Sequence, residues 1–273
     1  MPRIEDILHL ERIDTDIFRG AAFPSKLKRT FGGQVAAQAL VAAVATVADE
    51  RTVHSLHGYF LRPGRSEEPT VFLVDRLRDG RSFSARAVRA VQGGQTIFSM
   101  QASFHRRGDH GPDHSDQMRK VPPPEGVPEL ARLNPDRVGE LLKEWGDWDL
   151  RVVSPDCYES NKYAASQQVV WFRSRHKLPD AAEFHQCTLA YMSDMTLLHS
   201  ALVPHPGQEV QMASLDHALW FVREFRADDW LLYDQTSPSA HSGRALTSGR
   251  IFNRAGELVA VATQEGLVRT SRG

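Results

Sequence analysis

The chain has 273 residues, of which 41% are hydrophobic and 25% charged, and its formal net charge is −1. These values are typical of a globular protein with a sizeable core, and they exclude a strong overall field for nucleic acid. The sequence has two cysteines and an acidic start, and it has no apolar run of the roughly 20 residues that span a bilayer. These features predict a cytoplasmic protein.

The first predicted elements along the chain are an amphipathic segment, one helix and then strands. Residues 4–13 form a short amphipathic segment, and FGGQ at 31–34 opens an alanine-rich helix that runs to about Val47. Alanine gives high helix propensity and little bulk, so this helix can lie close to a sheet. A helix followed by a meander of antiparallel strands predicts an α+β fold. Strands are expected at 53–62, 69–78, 82–91 and 95–105.

Residues 106–160 differ in composition from the parts of the chain on either side. Histidine, aspartate and glycine are frequent first, and a proline-rich run follows at 121–128. A polar stretch of this kind is typical of a linker, in which we predict one modest helix at 136–146. We therefore expect an N-terminal domain at 1–105, a linker at 106–160 and a C-terminal domain at 161–273.

The last part of the chain repeats the pattern of the first. Residues 54–104 and 214–268 read as two copies of one unit, each with an aromatic and an arginine near its first strand and a glycine in its last hairpin turn. A helix precedes each copy, and the second helix is predicted over 181–201. The strands of the last part are expected at 168–174, 210–223, 229–237, 243–252 and 257–269.

Three polar residues of the second copy are candidates for catalysis. Asp194 falls on the apolar face of the predicted helix, where a carboxylate without partners would be costly. Gln264 shares the inner face of an apolar strand, so both ends of its amide need partners there. Ser214 is expected at the start of the strand that follows the helix.

Two other catalytic arrangements are weaker. Asp216 and His217 follow Ser214, but adjacent residues of one strand point to opposite faces and cannot form a Ser/His/Asp triad. His54 and His57 are the closest histidine pair, and in a regular strand they too would point apart. We therefore predict neither a serine hydrolase nor a metal site.

Five segments together carry a family resemblance. They are FGGQ at 31–34, HSLHGYFLRPG at 54–64, RDGRSFSAR at 78–86, LDHALWF at 215–221 and QEG at 264–266. In combination they resemble the type II acyl-CoA thioesterase (TesB) family over about residues 4–269. The resemblance implies a double hotdog fold, in which two antiparallel sheets each wrap around a long helix and join into one extended sheet.

The resemblance also implies a reaction and a catalytic set. The reaction is hydrolysis of fatty acyl-CoA to free fatty acid and CoA, without a cofactor. The set is an aspartate, a threonine and a glutamine, which fall on Asp194, Ser214 and Gln264, so that serine stands in place of the more common threonine. Asp194 could act as a general base or as a nucleophile. Backbone N–H groups at a helix N-terminus are expected to stabilise the oxyanion.

Further expectations concern the substrate, partners and alternatives. Gly33, His54, His57 and Arg62 are weaker candidates for substrate binding, and a homodimer or a higher homo-oligomer is expected. A hotdog hydratase would need a histidine paired with Asp194, and none flanks it at that spacing. A non-catalytic module that binds or senses acyl-CoA is the alternative from another class.

Overall fold

The structure, a computed structural model, describes residues 2–25, 29–130 and 145–270. The chain divides into two compact units, each built from three stretches of sequence. Unit 1 contains residues 1–114, 179–194 and 216–221, and unit 2 contains residues 115–178, 195–215 and 222–273. The domain boundaries at 105 and 160 stay a prediction.

The described elements are a few helices and thirteen strands. The α-helices are α1 (Ile4–Leu8), α2 (Gly32–Val44) and α3 (Ala182–Ser193), and 3-10 helices lie at Pro124–Gly126, Pro155–Cys157 and Leu198–Leu202. The strands are β1 (Leu10–Asp14), β2 (Ile17–Gly20), β3 (Arg51–Phe60), β4 (Thr70–Asp79), β5 (Phe83–Gln92), β6 (Gln95–Arg106), β7 (Trp148–Val152), β8 (Gln167–Ser174), β9 (Val210–Ser214), β10 (Asp216–Phe221), β11 (Leu231–His241), β12 (Arg244–Asn253) and β13 (Leu258–Thr270).

Unit 1 is an antiparallel sheet with two helices packed together. Its strand order is β1-β2-β4-β5-β6-β3-β10. The alternation predicted for β6 is confirmed, because Phe98, Met100, Ala102 and Phe104 are all buried. Helix α2 packs on β5, β6, β3 and β4, and its alanines let the backbone approach the sheet. Helix α3 packs against α2 in the same unit.

The strands of unit 2 are also antiparallel, in the order β9-β13-β12-β11-β8-β7. The meander β11-β12-β13 repeats the meander β4-β5-β6, as the internal duplication predicts. Both final hairpins turn through glycine in the left-handed region, at Gly93 and Gly94 in the first and at Gly256 in the second. The predicted α+β class, with antiparallel strands in both units, is therefore confirmed.

Most of the segment predicted as a linker belongs to unit 2. The guanidinium of Arg119 donates to both carboxylate oxygens of buried Asp234, each at 3.1 Å. Trp171 Nε1 donates to the Pro122 carbonyl at 3.0 Å, and Val127 joins an apolar cluster with Trp171. Strand β7 also lies in this segment and was not predicted, and the helix predicted at 136–146 lies largely outside the described residues.

Two predicted element bounds around the candidate residues Asp194 and Ser214 are wrong. The helix predicted over 181–201 ends at Ser193, and a 3-10 helix follows at Leu198–Leu202. Ser193 Oγ donates to the Ala190 carbonyl at 3.2 Å, and such side-chain bonds compete with continuation of a helix. The strand predicted over 210–223 is interrupted at Leu215, so Ser214 ends β9 instead of starting the next strand. No helix within the described residues is long and apolar enough to cross a membrane.

Candidate active site

Asp194 lies at the junction of α3 and the N-terminus of α2. It is the C-cap residue of α3 and is half-buried, whereas the sequence predicted a buried position inside the helix. Its Oδ2 atom is only 2.8 Å from the point where a Cβ on Gly32 would stand. The carboxylate therefore lies directly against the first residue of α2.

The first turn of α2 is shaped for close contact. A Cβ on Gly33 would stand 2.4 Å from the backbone oxygen of Tyr191, so only glycine fits there without a shift of the backbone. Phe31, the N-cap residue, supplies no side-chain cap, and its ring packs edge-on against Tyr191 at 4.9 Å between centroids. The first N–H groups of a helix have no intrahelical acceptor, so this turn presents donors next to Asp194.

Aromatic side chains surround the same point. The ring of Phe60 would be 3.0 Å from a Cβ on Gly32, and Phe60 packs on Phe98 with 4.8 Å between centroids. A carboxylate, a helix N-terminus and aromatic rings thus meet in unit 1. This combination suits a reaction that moves a proton next to an apolar group.

Ser214 and Gln264 meet in unit 2. Gln264 is fully buried on the inner face of β13, as predicted, and its Nε2 donates to Ser214 Oγ at 2.7 Å. The backbone carbonyl of Gln264 accepts a hydrogen bond from Thr247 Oγ1 at 3.0 Å. Ser214 is opposite Gly266 in the register of β9 with β13, which holds its hydroxyl near the glutamine.

The weaker candidates contact other residues. His54 Nε2 lies 2.8 Å from Ser103 Oγ, and the register of β3 with β6 shifts between Val53 and Ser55. His57 Nε2 lies 3.2 Å from Asp216 Oδ2 on an exposed surface. Arg62 Nη1 donates to the Thr96 carbonyl at 2.7 Å. Burial, and secondarily the nearby His105, lower the pKa of His54.

The sequence did not predict that His217 lies close to the residues around Asp194. Its side chain is completely buried in β10, and Nε2 lies 2.8 Å from Ser193 Oγ. Burial lowers the pKa of His217, and the carboxylates of Asp194 and Asp216 partly oppose that effect. The signal in the sequence was a histidine that directly precedes the apolar run Ala218–Phe221 of its strand. Among the described residues, no group of three or more His, Cys, Asp or Glu side chains could hold a metal ion.

Comparison with known proteins identifies related sequences over both units. A family model described as acyl-CoA thioesterase matches residues 143–267, and a model described as acyl-CoA thioesterase N-terminal domain matches residues 23–105. Human acyl-coenzyme A thioesterase 8 is 37% identical over 282 residues, covering 97% of this chain and 88% of the relative.

Solved structures agree with this result. The acyl-CoA thioesterase II TesB2 from Mycobacterium marinum is 53% identical, with a TM-score of 0.89 over 99% of this chain and 100% of that one. A hot dog fold protein from Alicyclobacillus acidocaldarius is 21% identical, with a TM-score of 0.79 over 98% of each chain, which is a likeness of fold. The chain therefore has the double hotdog fold that the sequence resemblance implied.

Proposed function

The chain belongs to the type II acyl-CoA thioesterase family, and on that premise we propose that it hydrolyses fatty acyl-CoA with Asp194 as the general base. Ser214 and Gln264 are proposed to orient the attacking water. The observation that carries the proposal is the Asp194 carboxylate against Gly32 at the N-terminus of α2. A base is thereby next to backbone donors that have no acceptor within the helix.

The proposed reaction uses one water and needs no cofactor. Asp194 takes a proton from the water while the water oxygen forms a bond to the thioester carbon. Backbone N–H groups of Gly32 and Gly33 are proposed to stabilise the resulting oxyanion, since the N-terminus of a helix is partly positive. The carbon–sulfur bond then breaks and releases CoA thiolate, which is a good leaving group because thiols have a pKa near about 8.5.

Ser214 and Gln264 suit the role of orienting the water. Gln264 Nε2 donates to Ser214 Oγ, so the serine oxygen is the acceptor in that bond and its own proton is directed elsewhere. A hydroxyl fixed in this way is set up as a donor to the water. Serine keeps the hydroxyl of the more common threonine but lacks the methyl group that restricts rotation.

The side chains around Asp194 are suited to contact with an apolar acyl group. Phe60 is next to Gly32 and packs on Phe98, and Phe31 packs on Tyr191 at the start of α2. We propose that the acyl part of the substrate contacts these rings. We also propose that the rest of the substrate is bound by Gly33, His54, His57 and Arg62. The same proposal includes action in the cytoplasm and assembly as a homo-oligomer.

Thiol release from a series of acyl-CoAs of increasing chain length tests the function. We expect release by the wild type, a chain-length preference, and a loss of release in Asp194→Asn. Asp49→Asn is a matched control, because Asp49 is exposed in the loop that precedes β3. Tight binding of acyl-CoA by the wild type without release would contradict the proposal and favour a sensing module.

A further inference from the structure

A buried histidine next to Asp194 has no part in the proposed reaction. His217 is the second residue of β10, and its Nε2 atom lies 2.8 Å from Ser193 Oγ. Ser193 is the last residue of α3 and directly precedes Asp194. The histidine therefore contacts the helix end that carries the proposed base.

The hydroxyl of Ser193 indicates which nitrogen of His217 carries the proton. With the single proton of Ser193 Oγ on the Ala190 carbonyl at 3.2 Å, the hydroxyl is the acceptor and the imidazole the donor in their 2.8 Å contact. In that arrangement Nε2 carries the proton and Nδ1 a lone pair, whereas a hydroxyl that donated to Nε2 would require the proton on Nδ1. Within the described part of the chain, Nδ1 is buried and has no hydrogen-bond partner.

The surroundings of His217 favour the neutral ring. Burial has the largest effect on its pKa and lowers it. Asp194 at the end of α3 and Asp216 on β10 raise the pKa, whereas His57 on β3 lowers it further. An imidazolium here would pair with the Asp194 carboxylate and make it a weaker base. A neutral ring contacts the end of α3 without that effect.

We propose that His217 is a positioning residue for Asp194. As a neutral donor it holds Ser193 at the end of α3, and it thereby fixes the Asp194 carboxylate beside Gly32. This inference rests on the proposed role of Asp194 as the general base.

Kinetics of matched variants test the positioning role. His217→Phe keeps much of the ring volume but removes the donor, and His217→Gln keeps an N–H donor. We expect His217→Phe and Ser193→Ala to lower kcat by about 10- to 100-fold with little change in KM, because small displacements of a catalytic group have effects of that size. His217→Gln should recover part of the loss. Ser200→Ala is the control, since Ser200 is buried and its hydroxyl also bonds a carbonyl three residues back.

The pH profile separates positioning from a charge effect. Replacing a neutral ring with phenylalanine should lower the plateau of kcat/KM and leave the midpoint of its acid limb unchanged. A shift of that midpoint to higher pH in His217→Phe would show that a cationic imidazolium had been removed, and it would overturn the proposal. Wild-type kcat in a folded His217→Phe variant would overturn it too.

Nitrogen-15 NMR of labelled histidine gives a readout that does not depend on activity. The spectrum of His217→Gln assigns the signal, and we expect the neutral tautomer protonated at Nε2. A ring protonated at Nδ1, or at both nitrogens at neutral pH, would overturn the inference even if the enzyme is active. A wild type that releases no thiol would instead remove the proposed function, which distinguishes the two failures.

Discussion

Gly32→Ala is the substitution that most selectively displaces the proposed base. An added Cβ would stand 2.8 Å from Asp194 Oδ2 and 3.0 Å from the nearest atom of the Phe60 ring. Ordinary van der Waals contact begins at 3.4 Å, so the carboxylate oxygen has to move by 0.6 Å. Both contacts are with the ends of side chains, which can shift without moving the backbone.

The expected result is a loss of activity with little loss of stability. A displacement of about 1 Å costs up to about 100-fold in rate, so we expect kcat to fall by about tenfold in Gly32→Ala. Alanine is a better helix former than glycine by about 0.5–1 kcal/mol, which offsets part of the steric cost, and the free energy of unfolding should change by less than about 1 kcal/mol.

Steady-state thiol release and urea unfolding of the same preparations measure both quantities. Gly126→Ala is the control, because a Cβ on Gly126 would meet no described atom within 4 Å beyond its chain neighbours. Wild-type kcat in Gly32→Ala would refute the reasoning, since a displaced Asp194 carboxylate would then have no effect on the reaction. An equal loss in Gly126→Ala would refute it as well.

Three further predictions concern other residues. Ser214→Ala should lower kcat by about 100-fold in the thiol-release assay, whereas Ser214→Thr keeps the hydroxyl and should keep most of the activity; equal rates in the two variants would argue against a role for the hydroxyl. Burial lowers the pKa of His217 in the folded state. As the pH falls below 6.5, this imidazole is therefore protonated more readily in the unfolded chain than in the folded one. Urea unfolding should therefore show stability falling through that range, and His217→Phe should reduce the slope; an unchanged slope would contradict the shift. Burial also raises the pKa of Cys187, while Cys157 is exposed, so a thiol reagent should modify only Cys157 in the native protein and both after unfolding.

The sequence predicted strands β3 to β6 well because their alternation is regular. Strands β3 to β6 start and end within two residues of their predicted positions, and the buried face of β6 is the predicted one. The glycine turns at 92–95 and 253–256 separate the strands of each final hairpin, and left-handed glycines occur in both. In these elements local pattern and tertiary packing agree.

The positions of the site residues could not be predicted to the same degree. Apolar residues continue past Ser193, so periodicity extended helix α3 to 201 and placed Asp194 inside it, whereas the helix ends one residue before Asp194. The approach of Asp194 to Gly32 joins residues more than a hundred positions apart, and local patterns carry no information on such contacts. Gln264 was placed correctly because a buried strand position follows from alternation alone.

The most direct test of the central claim is a single-turnover measurement with enzyme in excess over one acyl-CoA that the wild type hydrolyses. Wild type and Asp49→Asn should cleave the bound thioester at the same rate, and Asp194→Asn should bind the substrate and cleave it at least about 100-fold more slowly. Cleavage by Asp194→Asn at the wild-type rate would contradict the account, because the proton of the attacking water would then go to another group.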